Sequence, residues 1–533
     1  MMRPDRRAST CAALFVFFAF LGAITACDAP ARSSDTVVYA TGVDLESANP
    51  LVTMHPLSRQ MQRFALLVTL ARYDSALVPQ PYLATRWEWN PSGDELTLHL
   101  YSGLTWHDGA QTTARDVAFT LDAARDRSTG FARYGELASI TRTQAVDDST
   151  VRIHFSSPPP GFPPIFAELP IVPAHLLANV PRSEMRRAPY NLNPVGNGPF
   201  RFLSREAGRR WVLERVPNFP AAFGGPPTIP RLVIAVVDEP TTKFAGLVSG
   251  ELAVAGIAPT MASLVARDPS LRVISYPVLL ANAVVFNPSR PPFDDVRVRR
   301  AISAAIDRRR IIDAALAGYA TPAYGPASPD NPLALTVPAP NVATADSLFD
   351  AAGWVRASDG RRMRAGKPLA FTLLTVGSGD NAVEQLLQAD MRAHGVTVEI
   401  RQLEFGAFLA EARANPKRFD ALFTGIPGDL SLSYLAAMFD SRLSGGPLDY
   451  AGFHTPALDS AFARVSAARS HADLVEGWRA VQRVLDDATP VAWVYHSRGV
   501  QGVTARLGGV RMDLRGEMPT LARWTLSDAG AKP

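Results

Sequence analysis

An uncharged and strongly apolar stretch lies near the beginning of the chain. Arg3, Arg6 and Arg7 precede fifteen residues without a charge, AALFVFFAFLGAITA at 12–26. A membrane-spanning helix needs about 20 apolar residues, so this stretch fits the apolar region of an export signal better than a spanning helix. No later stretch reaches about 18 apolar residues. We therefore expect the rest of the chain to fold as a soluble body outside the cytoplasm.

The end of this stretch, Ile24-Thr25-Ala26-Cys27, resembles the box before the lipidated cysteine of bacterial lipoproteins. By this resemblance residues 1–26 are a signal peptide, Cys27 is the diacylated first residue of the mature protein, and 27–34 form a linker. A diacyl chain holds a protein at a membrane better than one chain does. The implied location is the periplasm, with the anchor in the inner membrane as Asp28 suggests, or the cell surface if the host has a single membrane. The alternative is an ordinary cleaved signal with an incidental cysteine.

Composition narrows the classes of protein further. The 54 Lys and Arg residues against 50 Asp and Glu give a net charge of only +4, without a basic run, so we expect no nucleic-acid partner. Two cysteines, Cys11 and Cys27, exclude a disulfide scaffold. The length allows two to four domains of ordinary size, at about 100–200 residues each.

Strand and helix patterns alternate along the chain, which predicts a mixed α/β fold. Alternating or short apolar, β-branched runs predict strands at 36–40, 96–100, 151–155, 232–237 and 284–286. A helix is predicted after Thr113, with Asp116 completing a capping box, and two helices are predicted within 294–318, the second capped by Asp307. Thr344 is predicted to cap a helix that ends at Gly353. Residues 360–367 are predicted as a polar hairpin with arms at 354–355 and 369–371.

The sequence contains no recognisable catalytic or metal-binding motif. None of the nine histidines has metal-ligand spacing, and the zinc-protease, paired CxxC, nucleophile-elbow and dinucleotide motifs are missing. His107 and Asp108 place an imidazole beside a carboxylate, which suits either a general base or a tight turn packed on Trp106. We favour the turn, and we expect a protein that is not an enzyme and has no catalytic residue, metal or cofactor.

Four motifs in order resemble the family 5 extracellular solute-binding proteins, the peptide- and nickel-binding components of ABC importers. The motifs are LTWHDG at 104–109 followed by TARDVAF at 113–119, VGNGPF at 195–200, PFDDVRVRRAI at 292–302 with AID at 305–307, and LFDAAGW at 348–354.

The resemblance implies a type II periplasmic binding-protein fold, with two hinged α/β lobes and an extra α+β domain. Lobe I would take 35–54, 189–282 and 492–533, the extra domain 55–188, and lobe II 283–491, with crossing strands near 281–286 and 490–495. The implied function is capture of an oligopeptide or peptide-like solute by lobe closure. The implied partners of this monomer are an ABC permease and ATPase, and nickel complexes or oligosaccharides are alternative ligands.

The resemblance also implies a ligand site. In peptide binders of the family an aspartate of the second lobe pairs with the ligand's amino terminus, and Asp429 in GIPGDLSLSY (425–434) is the matching position. The aromatic and Asp-Pro residues that usually follow are missing, and the alternative is that Asp429 caps the next helix. Topology adds five cleft candidates: Tyr434, Phe286, Asn287, Gly42 and Asp44. An exported hydrolase and a receptor that presents its ligand to a membrane sensor are the alternative functions.

Overall fold

The computed structural model describes residues 35–53, 55–377, 379 and 381–527. The predicted signal peptide, the predicted lipidation site Cys27 and the predicted linker lie outside these residues. No helix among the described residues is both long and apolar enough to cross a bilayer.

Within the described residues, strands and helices alternate along the chain. The strands, β1 to β22 in chain order, are Thr36–Thr41, Ala71–Tyr73, Pro79–Pro81, Ala84–Trp89, Glu95–Leu100, Ile140–Ala145, Thr150–Phe155, Phe200–Glu206, Arg210–Arg215, Arg231–Val236, Val254–Gly256, Leu271–Phe286, Ala320–Pro322, Val355–Arg356, Arg362–Arg364, Lys367–Pro368, Ala370–Val376, Thr397–Leu403, Ala421–Pro427, Val491–Thr504, Leu507–Gly508 and Thr525–Leu526. The α-helices, α1 to α14, are Pro56–Met61, Ala114–Arg125, Ile165–Glu168, Ala174–Leu177, Pro240–Ser249, Ala262–Ala266, Val296–Ala305, Arg308–Leu316, Ala345–Ala351, Ala382–Ala393, Phe405–Arg413, Ser433–Phe439, Pro456–Ala467 and His471–Ala488.

One large mixed sheet organises the molecule. Its strand order is β18, β17, β19, β12, β20, β11, β1, β10, β9, β8, with β13 also beside β20. In the first half of the sheet β1 is parallel to β10 and β11, and in the second half β17 is parallel to β18 and β19. The long strands β12 and β20 are antiparallel to each other and join the two halves. The prediction of a mixed α/β fold is confirmed.

The two joining strands are longer than the sequence predicts. β12 has 16 residues and β20 has 14, so the predicted crossings at 281–286 and 490–495 cover only part of each strand. The pairing register shifts between Pro277 and Ala281, where Pro277 pairs with Arg498 and Ala281 with His496. Residues 278–280 therefore form a bulge against β20. The division of the chain into lobes stays a prediction.

Helices cover the sheet on both faces, because each half presents apolar side chains on both sides. In the second half, α7 to α10 pack on one face and α11 to α14 on the other. In the first half, α5 and α6 cover one face. The other face carries a large core that continues into residues 57–190 and includes the fully buried Trp106, Trp211 and Trp524.

The segment between β1 and β8 contains its own antiparallel sheet, with order β4, β5, β7, β6. Buried residues alternate along β5 and β7, as the predicted half-buried strands require. Helix α2 packs on β6 and begins at the predicted capping box. The Asp116 carboxylate accepts from the Thr113 backbone N–H, and the Thr113 hydroxyl accepts from the Arg115 backbone N–H. Asp307 caps α8 as predicted.

Two local predictions are wrong. Thr344 does not cap α9 through its side chain; a short turn precedes the helix, Asn341 caps that turn, and the Thr344 hydroxyl donates to the Asn341 carbonyl. The predicted single hairpin at 360–367 is instead a three-stranded ribbon of β14, β15 and β16. Ala365 and Gly366 both have positive φ, which makes a second tight turn, and residue 370 already belongs to β17 of the main sheet.

Candidate ligand-binding site

Asp429 and Tyr434 lie together where β19 ends beside the joining strands. They line a narrow cavity with Leu279 of the β12 bulge and His496 of β20. Its volume of about 20 Å³ has room for about one water. The structure thus brings two of the predicted site residues to the point where the halves of the sheet meet.

The Asp429 carboxylate is fully engaged by the start of α12. One oxygen accepts from the Ser431 hydroxyl at 2.7 Å and from the Ser433 backbone N–H at 3.0 Å. The other accepts from the Ser433 hydroxyl at 2.7 Å and from the Tyr434 backbone N–H at 3.1 Å. These four bonds are the helix-capping arrangement that the sequence left as an alternative.

The other polar groups of the cavity are uncharged at neutral pH. The Tyr434 hydroxyl donates to the Pro326 carbonyl at 2.8 Å, and burial, followed by the charge of Asp429, raises the pKa of Tyr434. Burial lowers the pKa of His496 to about 4, although bonds to the backbone of nearby residues oppose the change. Asp429 is therefore the only charged side chain that lines the cavity among the described residues.

Phe286 and Asn287 are placed in the core of the second half. Phe286 stacks on Phe293 with ring centres 4.9 Å apart, and both Phe286 and Asn287 are fully buried. The Asn287 amide donates to the Phe419 carbonyl at 2.7 Å and its oxygen accepts from the Ser289 hydroxyl. A solute in a cleft reaches neither side chain unless the core opens, so a structural role accounts for both.

The Gly42–Asp44 loop follows β1 in the first half of the sheet. Asp44 accepts from Arg205 at 2.7 Å, from the Trp211 indole at 2.8 Å and from the Gly208 N–H at 2.9 Å. Burial alone would raise the pKa of Asp44, but these bonds outweigh it and lower the pKa. Asp44 is thus an ionised anchor for the β8–β9 hairpin, and its use by a ligand stays a prediction.

A cluster of charged side chains within residues 55–170 was not predicted from the sequence. We call Arg59, Arg63, Arg133, Glu136 and Glu168 the Arg–Glu cluster. Arg133 holds Glu136 with two bonds of 2.6 and 2.8 Å and holds Glu168 with its other terminal nitrogen. Arg59 reaches Glu168 at 3.4 Å and Arg63 donates to the Arg515 carbonyl at 2.6 Å.

The Arg–Glu cluster is stabilised by the attraction between its own charges. Burial would raise the pKa of Glu168, but Arg133, Arg63 and Arg59 outweigh it and lower the pKa. Burial lowers the pKa of Arg59, which the carboxylates of Glu168 and Asp429 oppose. Burial raises the pKa of Glu136, with smaller contributions from the charges of Glu168 and Asp429, although Arg133 opposes the change. The members come from α1, the helical turn at 62–66 that follows it, residues 133–136 and α3, so no local sequence motif predicts them.

His107 is a structural residue. The Gly196 N–H donates to its Nδ1 at 3.2 Å, and its Nε2, 3.0 Å from the Gly198 carbonyl, must therefore carry the proton. Burial lowers the pKa of His107 to about 4. Asp108 pairs with His175 and not with His107. The pair suspected as a base is thus part of the turn, as the sequence favoured.

The glycine motif at 195–200 supplies the two backbone groups that His107 contacts, the Gly196 N–H and the Gly198 carbonyl. A Cβ at Gly196 would lie 2.0 Å from the Leu66 carbonyl oxygen, and one at Gly198 would lie 2.5 Å from that of Ala65. Asn197 accepts from the Val68 N–H. The motif therefore fixes the start of β8 against residues 65–68. Among the described residues, no group of three or more His, Cys, Asp or Glu is arranged to hold a metal ion.

Comparison with solved structures identifies the class of fold. NikA of Brucella suis in complex with Fe(III)-EDTA has a TM-score of 0.81 at 19% identity, over 92% of this chain and 100% of that chain. The fold is that of type II periplasmic binding proteins.

Residues 78–442 match the family described as "Bacterial extracellular solute-binding proteins, family 5 Middle". The match covers more than half of the chain, so the chain belongs to this family, as its four motifs predict. An ABC transporter peptide-binding protein of Brucella ovis is 28% identical over 352 residues, which is 64% of this chain and 64% of the relative. The dipeptide-binding protein of Escherichia coli is 24% identical over 90% of this chain and 93% of its own length.

Proposed function

We propose that the protein is the solute-binding component of an ABC importer and captures a peptide or peptide-like solute outside the cytoplasm. The observation that carries this proposal is the sheet itself, whose halves are joined by the long strands β12 and β20 beside the cavity that Asp429 lines. Family membership and relatives named as peptide-binding proteins support it. The permease and ATPase of the importer are the proposed partners, and no catalytic role is assigned.

Capture would work by closure of the lobes around the solute. A ligand shifts the balance between open and closed forms only by its differential affinity for the two forms. The proposed hinge is the β12 bulge at 278–280, because fewer ladder bonds have to change there. On this proposal the lobes take the division 35–54, 189–282 and 492–533 against 283–491.

Calorimetry on the mature protein tests this function. A set of di- to pentapeptides would be titrated beside a nickel–histidine complex and a set of oligosaccharides, with small-angle scattering before and after saturation. We expect a peptide to bind and the radius of gyration to fall as the lobes close. Binding of only a sugar or a metal chelate would contradict the peptide assignment, and peptide cleavage would favour the hydrolase.

We also propose that Cys27 carries the lipid that anchors the protein to the membrane. Metabolic labelling with an alkyne fatty acid should mark the wild type and the Cys11→Ser variant equally, because Cys11 lies in the part removed with the signal. The Cys27→Ser variant should lose the label and leave the membrane fraction. Equal labelling of Cys27→Ser would show that the cysteine is incidental.

A further inference from the structure

The parallel strands of both halves of the sheet run towards the β12 bulge at 278–280, which lies opposite residues 496–498 of β20. In the first half, β11 begins opposite Val503 and ends opposite Gln501, nearer the bulge, and β1 runs parallel to it. In the second half, β19 ends at Pro427 in register with the bulge itself. Ligands of open α/β sheets bind in the crevice outside the carboxyl ends of the strands. The register of the strands therefore places the solute crevice at the bulge.

Two carboxylates at these strand ends already have their partners. Asp429, after β19, accepts four hydrogen bonds from the start of α12, which fill the roughly four acceptor positions of a carboxylate. Asp44, after β1, is paired with Arg205 at 2.7 Å and accepts two further bonds. A cationic group of the solute at either residue would displace donors that are then left without a partner, which is costly.

Glu517 is a third carboxylate in this region, and it is partly exposed. One of its oxygens accepts from the Tyr276 hydroxyl at 2.7 Å, and the other accepts from the Tyr39 hydroxyl. Tyr39 lies near the carboxyl end of β1, and Tyr276 lies in β12 two residues before the bulge. Val278, in the bulge, packs on the same core as Tyr276 and also lines the Asp429 cavity. These contacts place the Glu517 carboxylate beside the crevice, on the side of the first half of the sheet.

The two tyrosines hold the carboxylate without neutralising it. The Gln501 side-chain amide donates to the Tyr39 oxygen at 3.3 Å and to the Tyr276 oxygen at 3.4 Å. A phenol that accepts from an amide keeps its O–H for another acceptor, so both hydroxyls are directed at Glu517. Burial, followed by the charge of Glu517, raises the pKa of each tyrosine, which keeps both as neutral donors.

Glu517 has no positively charged partner among the residues that the structure describes. No Arg, Lys or His nitrogen of this part of the chain lies within 4.0 Å of its oxygens, and Arg515, two residues away, pairs with Asp513 at 2.6 Å instead. The two tyrosine bonds leave about two of the four acceptor positions of the carboxylate open. A cationic group that enters beside Glu517 therefore gains a charge-assisted hydrogen bond without displacing a donor.

We propose that Glu517 binds the positively charged group of the solute in the crevice at the bulge. An ammonium or a guanidinium group fits, from the amino terminus of a peptide or from a basic side chain. This inference rests on the proposed function, because it names the ligand chemistry of the same crevice. It places the positive charge of the solute on the first half of the sheet and not at Asp429 of the second half.

Calorimetry with four matched tripeptides tests the inference and separates the two sources of charge. Ala-Gln-Ala and Ala-Lys-Ala would each be made with a free and with an acetylated amino terminus. We expect acetyl-Ala-Gln-Ala, which has no cation, to bind at least about tenfold more weakly than the tightest of the other three, as the loss of one charge-assisted bond requires. Binding of all four with equal affinity would overturn the inference and leave the proposed function intact, whereas no binding of any peptide would reject both.

Variants assign the preference to one carboxylate. In Glu517→Gln the advantage of the cationic peptides should fall to less than about threefold, while the affinity for acetyl-Ala-Gln-Ala stays that of the wild type. Glu184→Gln, at a side chain that is 48% exposed and paired with Arg187 on the surface, is the matched control and should keep the full preference. Loss of the preference in Asp429→Asn, with its retention in Glu517→Gln, would overturn the inference.

A second substitution at Glu517 guards against a change in folding. Glu517→Asp keeps the negative charge but withdraws the carboxylate by one methylene group. It should unfold in urea like the wild type and still lose affinity severalfold for the cationic peptides alone. An equal loss for all four peptides in both variants would mean that Glu517 acts only through the fold, and wild-type affinities in both would refute any role in binding.

Discussion

The buried imidazole of His107 makes stability depend on pH in a calculable way. The folded protein protonates this group at a pKa of about 4, against an ordinary value of 6.5. A lowered folded pKa means that the contribution is complete above pH 6.5 and is lost as the pH falls towards 4. The full difference corresponds to about 3 kcal/mol, of which about 2 kcal/mol is lost between pH 7 and pH 5.

His107→Gln removes the titrating group and keeps a side-chain N–H for the Gly198 carbonyl. The variant should be less stable than the wild type at pH 7, because the Gly196 N–H loses part of its bond. At pH 5 the difference in unfolding free energy should be smaller by about 2 kcal/mol. Urea unfolding followed by tryptophan fluorescence at both pH values measures it. Contributions of the other buried histidines are common to both proteins and cancel.

The control for this experiment is Val355→Thr, at a side chain that is 60% exposed in β14 and has no titratable group. Its difference from the wild type should not change between pH 7 and pH 5. The expected change for His107→Gln is about four times larger than 0.5 kcal/mol. If its difference in unfolding free energy from the wild type is also the same at pH 7 and pH 5, within about 0.5 kcal/mol, the idea of a buried neutral imidazole is refuted.

Two further substitutions test the packing of the cluster and of the glycine motif. Glu168→Gln should destabilise by about 3–5 kcal/mol in urea unfolding at pH 7, because it leaves buried arginines without their carboxylate, whereas Glu184→Gln on the surface should stay within about 0.5 kcal/mol. Gly196→Ala should cost at least about 3 kcal/mol or prevent folding, because its Cβ overlaps the Leu66 carbonyl; Gly135→Ala, where a Cβ meets no atom within 4 Å, should fold and unfold like the wild type.

Local features of the fold were predictable from the sequence because they depend on residues a few positions apart. The capping box of Thr113 and Asp116, the Asp307 cap and the alternation in β5 and β7 are of this kind. The wrong cap at Thr344 has the same origin, because Asn341, three residues earlier, was an equally good capping residue. Family motifs supplied the architecture that local patterns do not contain.

The candidate site was less predictable because its members are brought together by the fold. Phe286 and Asn287 lie at the end of an apolar stretch of sequence. Such a stretch predicts that its residues are buried, but not whether they line a cleft or pack in the core, and both are core residues. Arg59, Arg133 and Glu168 are separated by more than 100 residues between the first and the last, so their contact depends on how the segment packs. The sequence identified Asp429 as a candidate, but the four hydrogen bonds that its carboxylate accepts are seen only in the folded structure.

The hinge and the candidate site are linked by one backbone contact. In the β12 bulge at 278–280, the Leu279 carbonyl accepts from the Gly428 N–H at 2.9 Å, one residue before Asp429. The four bonds from α12 hold Asp429 to the helix, so the bulge, Asp429 and α12 form one connected unit. If the lobes rotate at the bulge, as we propose, Asp429 and α12 move together with it. On this proposal Asp429 contributes to closure by holding residues 428–434 to the start of α12.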